Sequence, residues 1–163
     1  LLSEWKKVLI LVTAFTIGHS ITLALSVLNV VRVPTRLIEF LIPVTIFITA
    51  LFNIIRRPDT QRPGAIQLNY FFALFFGLIH GMAFSNQLRS LLGSDTSLVM
   101  PLLGFNVGLE FGQILIVITA LLVSGIVVGA TRVKRRDWTM FLSSAIFGVA
   151  FMMAIDRFRE LII

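Results

Sequence analysis

The sequence predicts an all-α protein, a polytopic transmembrane helix bundle with five membrane spans. Hydrophobic residues make up 57% of its 163 residues and charged residues only 13%, a composition that the surface of a soluble domain does not accommodate. The apolar runs are longer than the roughly 10 alternating residues of a membrane barrel strand, and they show no period of two. Because the connectors are short, we expect residues 1–163 to form a single transmembrane helical domain.

The spans follow one another with polar or proline-containing breaks between them. Each is long enough to cross about 30 Å of hydrocarbon as a helix. The predicted spans are 8–31, 37–55, 68–88, 99–128 and 139–157. Pro34 and Pro101 stand where the second and fourth helices should begin, a position that tolerates proline because the first N–H groups of a helix have no partner within it.

The basic residues lie mainly at the ends of the apolar runs. The formal net charge is +6, but lipid phosphates and the positive-inside rule account for this placement, so we expect a lipid bilayer and no nucleic acid as partner. The Lys and Arg excess places the loops 56–67 and 130–138 in the cytoplasm and the C-terminus outside. With no cysteine in the chain, disulfides and thiolate metal ligands are excluded.

Both histidines of the chain lie inside apolar runs, in the first and third spans. An ionisable group in a membrane span is costly, about 2.5 kcal/mol or more when charged, so His19 and His80 are candidate functional residues. Thr16 and Thr22 share one helix face with His19, and Ser20 follows it directly. The alternative is structural: the hydroxyls bond to backbone carbonyls and His19 bonds to a neighbouring helix.

The fourth span carries a polar face and a glycine face. Asn106, Glu110 and Gln113 follow the spacing i, i+4 and i+7 and so project as one oxygen-rich surface. The alternative here is a Glu110 carboxyl group hydrogen-bonded to another helix. The small-residue ridges of the third and fourth spans should let another helix, of this chain or of a second copy in a homo-oligomer, approach closely. They consist of Gly77 and Gly81, and of Gly104, Gly108 and Gly112.

Two further acidic residues lie near the outer ends of the second and fifth spans. Glu39 and Asp156 are each three residues from an arginine, so an interfacial salt bridge competes with a role at a binding site. The pattern F-x-x-x-H followed by a helix with a glutamate occurs twice, which indicates a parallel repeat. In such a repeat His19, Glu39, His80 and Glu110 would converge.

Imidazole nitrogen combined with carboxylate and amide oxygen, and no thiolate, suits a divalent transition metal such as nickel, cobalt, zinc or iron. Protonatable ligands allow a metal to be released when a proton competes for them, as a transporter requires. Two alternatives use the same ligands. One is an intramembrane metal-dependent hydrolase, in which Ser20 or Glu110 assists a metal-activated water, and the other is a metal-binding sensor or accessory protein. We assign no catalytic residue.

At these residues the chain resembles the HupE/UreJ family of bacterial membrane proteins. The resemblance covers essentially the whole chain and rests on FTIGHSITLAL (15–25), the R-x-x-E at 36–39, FGLIHGMAF (76–84) and GFNVGLEFGQ (104–113). It implies secondary transport of nickel, or of cobalt, across the bacterial inner membrane. Family members usually begin with one more helix, which implies six spans in a full-length protein. The residues that the resemblance implies for the site are His19, Glu39, His80, Asn106, Glu110 and Gln113.

Overall fold

A computed structural model of the chain describes residues 2–55, 65–92 and 99–163, and within these ranges every regular element is an α-helix. The five helices are α1 (Leu2–Val27), α2 (Thr35–Ile55), α3 (Ala65–Leu92), α4 (Val99–Ala130) and α5 (Arg135–Ile162). The prediction of an all-α fold is confirmed. Pro34 directly precedes α2, and Pro101 lies in the first turn of α4.

The first helix ends four residues earlier than predicted, at Val27, because the chain closes it with a left-handed residue. Asn29 has φ 61°, a conformation that asparagine tolerates better than most residues. The N–H of Val30 donates to the carbonyl of Leu25 at 2.9 Å and the N–H of Asn29 to that of Ser26 at 3.1 Å. This pair of bonds is the Schellman motif, which satisfies carbonyls that the helix end would otherwise leave unpaired.

Four of the helices are long and apolar enough to cross a membrane: Lys6–Val27, Thr35–Ile55, Met100–Ala130 and Arg135–Ile162. The apolar part of α3, Asn69–Ser85, is shorter than these four by the same measure of the described residues. No residue of Met100–Ala130 is buried, and large side chains such as Phe111 are 71% exposed. Apolar side chains on this scale belong in lipid, so the chain is a multi-pass membrane protein.

The contacts divide the chain into two compact units. The first comprises Leu1–Ile38 and Pro63–Ile114, and so contains α1, α3 and the first half of α4. Its buried core consists of Leu23, Val27 and Leu88, against which Leu102 and Phe105 pack. This unit contains both histidines and the polar face of α4.

The second unit comprises Glu39–Arg62 and Leu115–Ile163. Phenylalanines hold α2 to α5 here, with ring centroids 4.6 Å apart for Phe47 and Phe147 and 5.6 Å apart for Phe40 and Phe158. The indole N–H of Trp138 donates to the Ser124 hydroxyl at 3.0 Å, which joins the first turn of α5 to α4. Whether the whole chain behaves as the single domain expected from the sequence stays a prediction.

Candidate functional site

The site is built where α1 and α3 pack against each other through glycines. A Cβ atom at Gly18 would collide with the carbonyl oxygen of Leu74, and one at Gly77 would collide with that of Phe15. A Cβ atom at Gly81 would meet the carbonyl oxygen of His19. Glycine is therefore required at all three positions for the two backbones to come this close, as in other membrane helix pairs with small interfacial residues.

Hydrogen bonds fix the arrangement of α1 relative to its two neighbours in this unit. The buried Thr22 hydroxyl lies 2.7 Å from the carbonyl oxygen of Leu78 on α3, its nearest acceptor, and donates to it. On the adjoining part of the same face, the Thr16 hydroxyl donates to Oε1 of Gln113 on α4 at 3.0 Å. Thr16 and Gln113, which the sequence placed on the polar faces of the first and fourth spans, are thus in direct contact, and Thr22 secures the α1–α3 pair.

His19 lies in an aromatic enclosure and is only 1% exposed. Its ring stacks on Phe105 with centroids 6.3 Å apart and on Phe15 with centroids 6.2 Å apart. Phe84 closes a further side at 5.6 Å. These contacts hold the imidazole in one orientation while offering none of the hydrogen-bonding groups that a buried histidine usually finds.

Neither ring nitrogen of His19 has a hydrogen-bond partner within the described residues. A neutral imidazole has one donor and one acceptor, and leaving such a buried group unsatisfied costs about 1–3 kcal/mol. The side-chain oxygen Oδ1 of Asn106 is likewise buried without a partner there. Asn106 directly follows Phe105, whose ring stacks on His19. Buried nitrogen and oxygen atoms without a hydrogen-bond partner are the kind of atoms that could act as ligands of a bound metal ion.

His80 is half-buried and shares the Phe15 ring with His19. Its centroid lies 5.3 Å from that of Phe15 in an edge-on arrangement. Its Nδ1 lies 2.8 Å from the carbonyl oxygen of Phe76. Since a carbonyl oxygen only accepts, Nδ1 carries the proton and donates it, which leaves Nε2 of the neutral ring with a free lone pair. Metal-binding histidines are commonly oriented in this way through their second nitrogen.

The carboxylate expected to complete the site is Glu110, which is half-buried in α4. It makes no hydrogen bond or ion pair with the residues that the structure describes. Among these residues, no three histidine, aspartate or glutamate side chains form a group able to hold a metal ion. His19, His80 and Glu110 are thus not assembled as a ready three-ligand group, and their joint role stays a prediction.

Glu39 and Asp156 belong to the second unit and differ in their surroundings. Glu39 forms an ion pair of 3.2 Å with Arg157, and the side chains are 40% and 41% exposed. The interfacial salt bridge considered for Glu39 therefore exists, but with Arg157 of α5 rather than with Arg36. Arg157 also bonds to Glu160 at 2.6 Å. Asp156 is exposed and forms no ion pair within the described part of the chain, so the pairing with Arg159 does not occur there.

The two predicted glycine ridges also differ in their surroundings. Gly77 and Gly81 contact α1, whereas Cβ atoms added at Gly104, Gly108 and Gly112 would meet nothing within 4 Å. No described residue therefore packs against the ridge of α4, and its role in a homo-oligomer stays a prediction. Ser20, which follows His19 in the sequence, is half-buried. The loop 56–67 falls largely outside the residues that the structure describes.

Sequence reasoning missed the aromatic enclosure. Phe15 and Phe84 lie one helical turn from His19 and His80 respectively, at the spacing i, i+4 that puts two side chains on the same helix face. That spacing was a usable signal. No local pattern predicts the contact of Phe105 with His19, because the two rings belong to different helices.

Comparison with known proteins adds to this geometry. A protein-family model described as HupE / UreJ protein matches residues 1–157. No curated protein and no solved structure matches the chain. The match covers all five helices up to Arg157, including both histidines and the polar face of α4. The chain therefore belongs to the HupE/UreJ family, membrane proteins related to the transport of nickel or cobalt.

Proposed function

We propose that this protein transports a divalent transition metal across the membrane, with nickel favoured over cobalt and zinc. The observation that carries the proposal is that the His19 imidazole is fully enclosed and that neither of its nitrogens has a partner among the described residues. In a membrane span such a group is expensive unless something binds to it. Imidazole nitrogen together with amide and carboxylate oxygen matches borderline divalent metals, to which nickel and cobalt belong.

His19 and His80 supply the nitrogen ligands in this proposal. The bond from Nδ1 of His80 to the Phe76 carbonyl leaves Nε2 as its metal-binding atom. Asn106 contributes its unpartnered Oδ1. Thr16 acts indirectly, because its bond to Gln113 holds the polar face of α4 toward α1.

Glu110 completes the site when the metal binds. It lies one helical turn after Asn106 on the same face of α4, so a movement of that helix that carries Asn106 toward the histidines carries Glu110 with it. A transporter has to bind and release its cargo, and a ligand that joins only in one conformation provides for both. Glu39, engaged by Arg157, is assigned to the ion pair rather than to the metal.

For the orientation, we propose that the connector 130–138 faces the cytoplasm of a bacterial cell and that the C-terminus lies outside the inner membrane. Four basic residues are exposed on this connector and at the start of α5, which supports the positive-inside assignment. They are Arg132, Lys134, Arg135 and Arg136. Labelling of a cysteine placed at Thr131 with a membrane-impermeant maleimide tests it. Labelling from outside intact cells would reverse the orientation.

Uptake of radioactive nickel by cells that express the protein tests the function. We expect His19→Ala, His80→Ala and Glu110→Gln to reduce uptake to background at unchanged expression. Asp156→Asn serves as the control, because this acidic residue is exposed and forms no ion pair with described residues. Metal binding by the purified protein without uptake would favour an accessory role. Turnover of lipid by the purified protein would favour the hydrolase.

A further inference from the structure

The first unit contains a cavity of about 340 Å³ near the end of α1. Its polar lining comes from Ser26 at the end of α1, Asn29 and Arg32 in the connector to α2, and Ser85 of α3, with Met82 beside Ser85. A volume of this size is within the range of about 300–1,000 Å³ that small-molecule sites occupy.

The cavity lies along the same helix pair as the histidines. Ser26 follows His19 by two helical turns on one face of α1, about 10 Å along the helix. On α3, Met82 and Ser85 occupy the turn that follows His80. Both helices that carry the histidines therefore also line the cavity, on the side toward the α1–α2 connector.

The charge of the cavity is unexpected next to a metal site. Among the described residues that line it, Arg32 is charged and none is acidic. Within the described residues Arg32 forms no ion pair. Its guanidinium repels a hydrated divalent cation but matches a carboxylate, to which it can donate two parallel hydrogen bonds. The Asn29 amide adds N–H donors that suit an oxygen-rich organic ligand, whereas the Ser85 hydroxyl donates to the carbonyl of Met82 at 2.7 Å.

We propose that this cavity binds the carboxylates of a small organic acid that chelates the metal, so that the cargo enters as an anionic chelate and not as a hydrated cation. The identity of the cargo rests on the proposed function, whereas carboxylate binding at Arg32 does not. The histidine nitrogens replace the carboxylate oxygens as ligands of the borderline metal, and the freed organic acid dissociates from the cavity.

Carboxylate binding is measured without any metal. The probe is tricarballylate, which carries three carboxylates and chelates metal weakly, titrated calorimetrically into the purified full chain in detergent. We expect saturable binding that Arg32→Ala weakens at least tenfold, because a charge-assisted bidentate contact is lost. Arg32→Lys should restore part of it, since lysine keeps the charge but not the planar fork. Arg132→Ala removes another exposed arginine, which does not line the cavity, and should change nothing.

Absence of tricarballylate binding, or equal binding by Arg32→Ala, would overturn the proposal. So would equal affinity for sulfate, which would make the cavity an unselective anion site. Circular dichroism and gel filtration of each variant exclude misfolding as the cause of a loss.

The form of the cargo is tested by uptake of nickel supplied as the hydrated ion or as its citrate chelate. We expect the wild type to take up the chelate faster and Arg32→Ala to lose that preference. A wild type that prefers the hydrated ion overturns the chelate assignment and leaves metal transport intact. Absence of uptake in both forms overturns the proposed function, while the metal-free titration still decides what the cavity binds.

Discussion

Gly81 of α3 packs directly against the carbonyl oxygen of His19 in α1, with no room for a Cβ atom between them. The position of the buried imidazole is therefore set by the absence of a side chain on the facing helix. Thr22 reinforces the contact, because a Cβ atom at position 81 would also meet its hydroxyl, which bonds to Leu78. The close packing of α1 against α3 thus also fixes the position of His19 in the candidate metal site.

We expect Gly81→Ala to force α1 and α3 apart and to lower the free energy of unfolding by about 1–3 kcal/mol, as overpacking commonly does. Metal binding should weaken with it because His19 moves. Gly108→Ala is the matched control, since a Cβ atom there meets no atom of the described residues within 4 Å. Thermal unfolding of the purified variants measures the difference. Equal destabilisation by both substitutions would contradict the close packing at Gly81.

The bond between Thr16 and Gln113 should contribute measurably to the contact of α1 with α4. A double-mutant cycle with Thr16→Val and Gln113→Leu should give a coupling energy of about 0.6 kcal/mol, the average for hydrogen bonds between membrane helices. Thr119→Val is the control, because the Thr119 hydroxyl bonds to Leu115 of its own helix at 2.8 Å. Additive effects of the two substitutions would show that the bond is not formed in the membrane.

The sequence alone predicted the helical membrane fold, because the length of an apolar run is a local property that does not depend on contacts between helices. The bounds of α4 differ from the prediction by only two residues, at its C-terminal end. The end of α1 was missed, since hydropathy extends through Val30 and Val31 while the chain turns at Asn29. The signal was the asparagine, one of the few residues that adopt positive φ readily.

For the candidate site, helical spacing correctly placed Thr16 and His19 on a face buried within the bundle. It also drew attention to Gly77 and Gly81, which lie at the α1 contact. Spacing does not reveal which helix meets which, so it assigned similar roles to the packed ridge of α3 and the open ridge of α4. The partner of Glu39 was missed for the same reason: Arg157 is distant in sequence, and only Arg36 is a local candidate.

Because Glu39 forms an ion pair with Arg157, we expect neither residue to contribute to metal binding. Both side chains are substantially exposed, so the pair should contribute between about 0 and 1 kcal/mol to stability. We expect Glu39→Gln to leave nickel affinity unchanged and to alter thermal stability only slightly. Isothermal titration with nickel, with Glu110→Gln measured alongside, provides the comparison. A loss of affinity in Glu39→Gln as large as in Glu110→Gln would make Glu39 a ligand.

The tautomer of His80 follows from its bond to the Phe76 carbonyl, and it can be observed directly. With Nδ1 donating, Nε2 should show the nitrogen chemical shift of an unprotonated ring atom in protein labelled with ¹⁵N-histidine. Addition of zinc, a diamagnetic substitute for nickel, should then shift Nε2 of His80 much more than Nδ1, because only Nε2 has a free lone pair. His19→Ala leaves a single histidine and assigns the signals. A larger shift at Nδ1 would mean that the Phe76 bond breaks on binding, and that this bond does not select the metal-binding nitrogen.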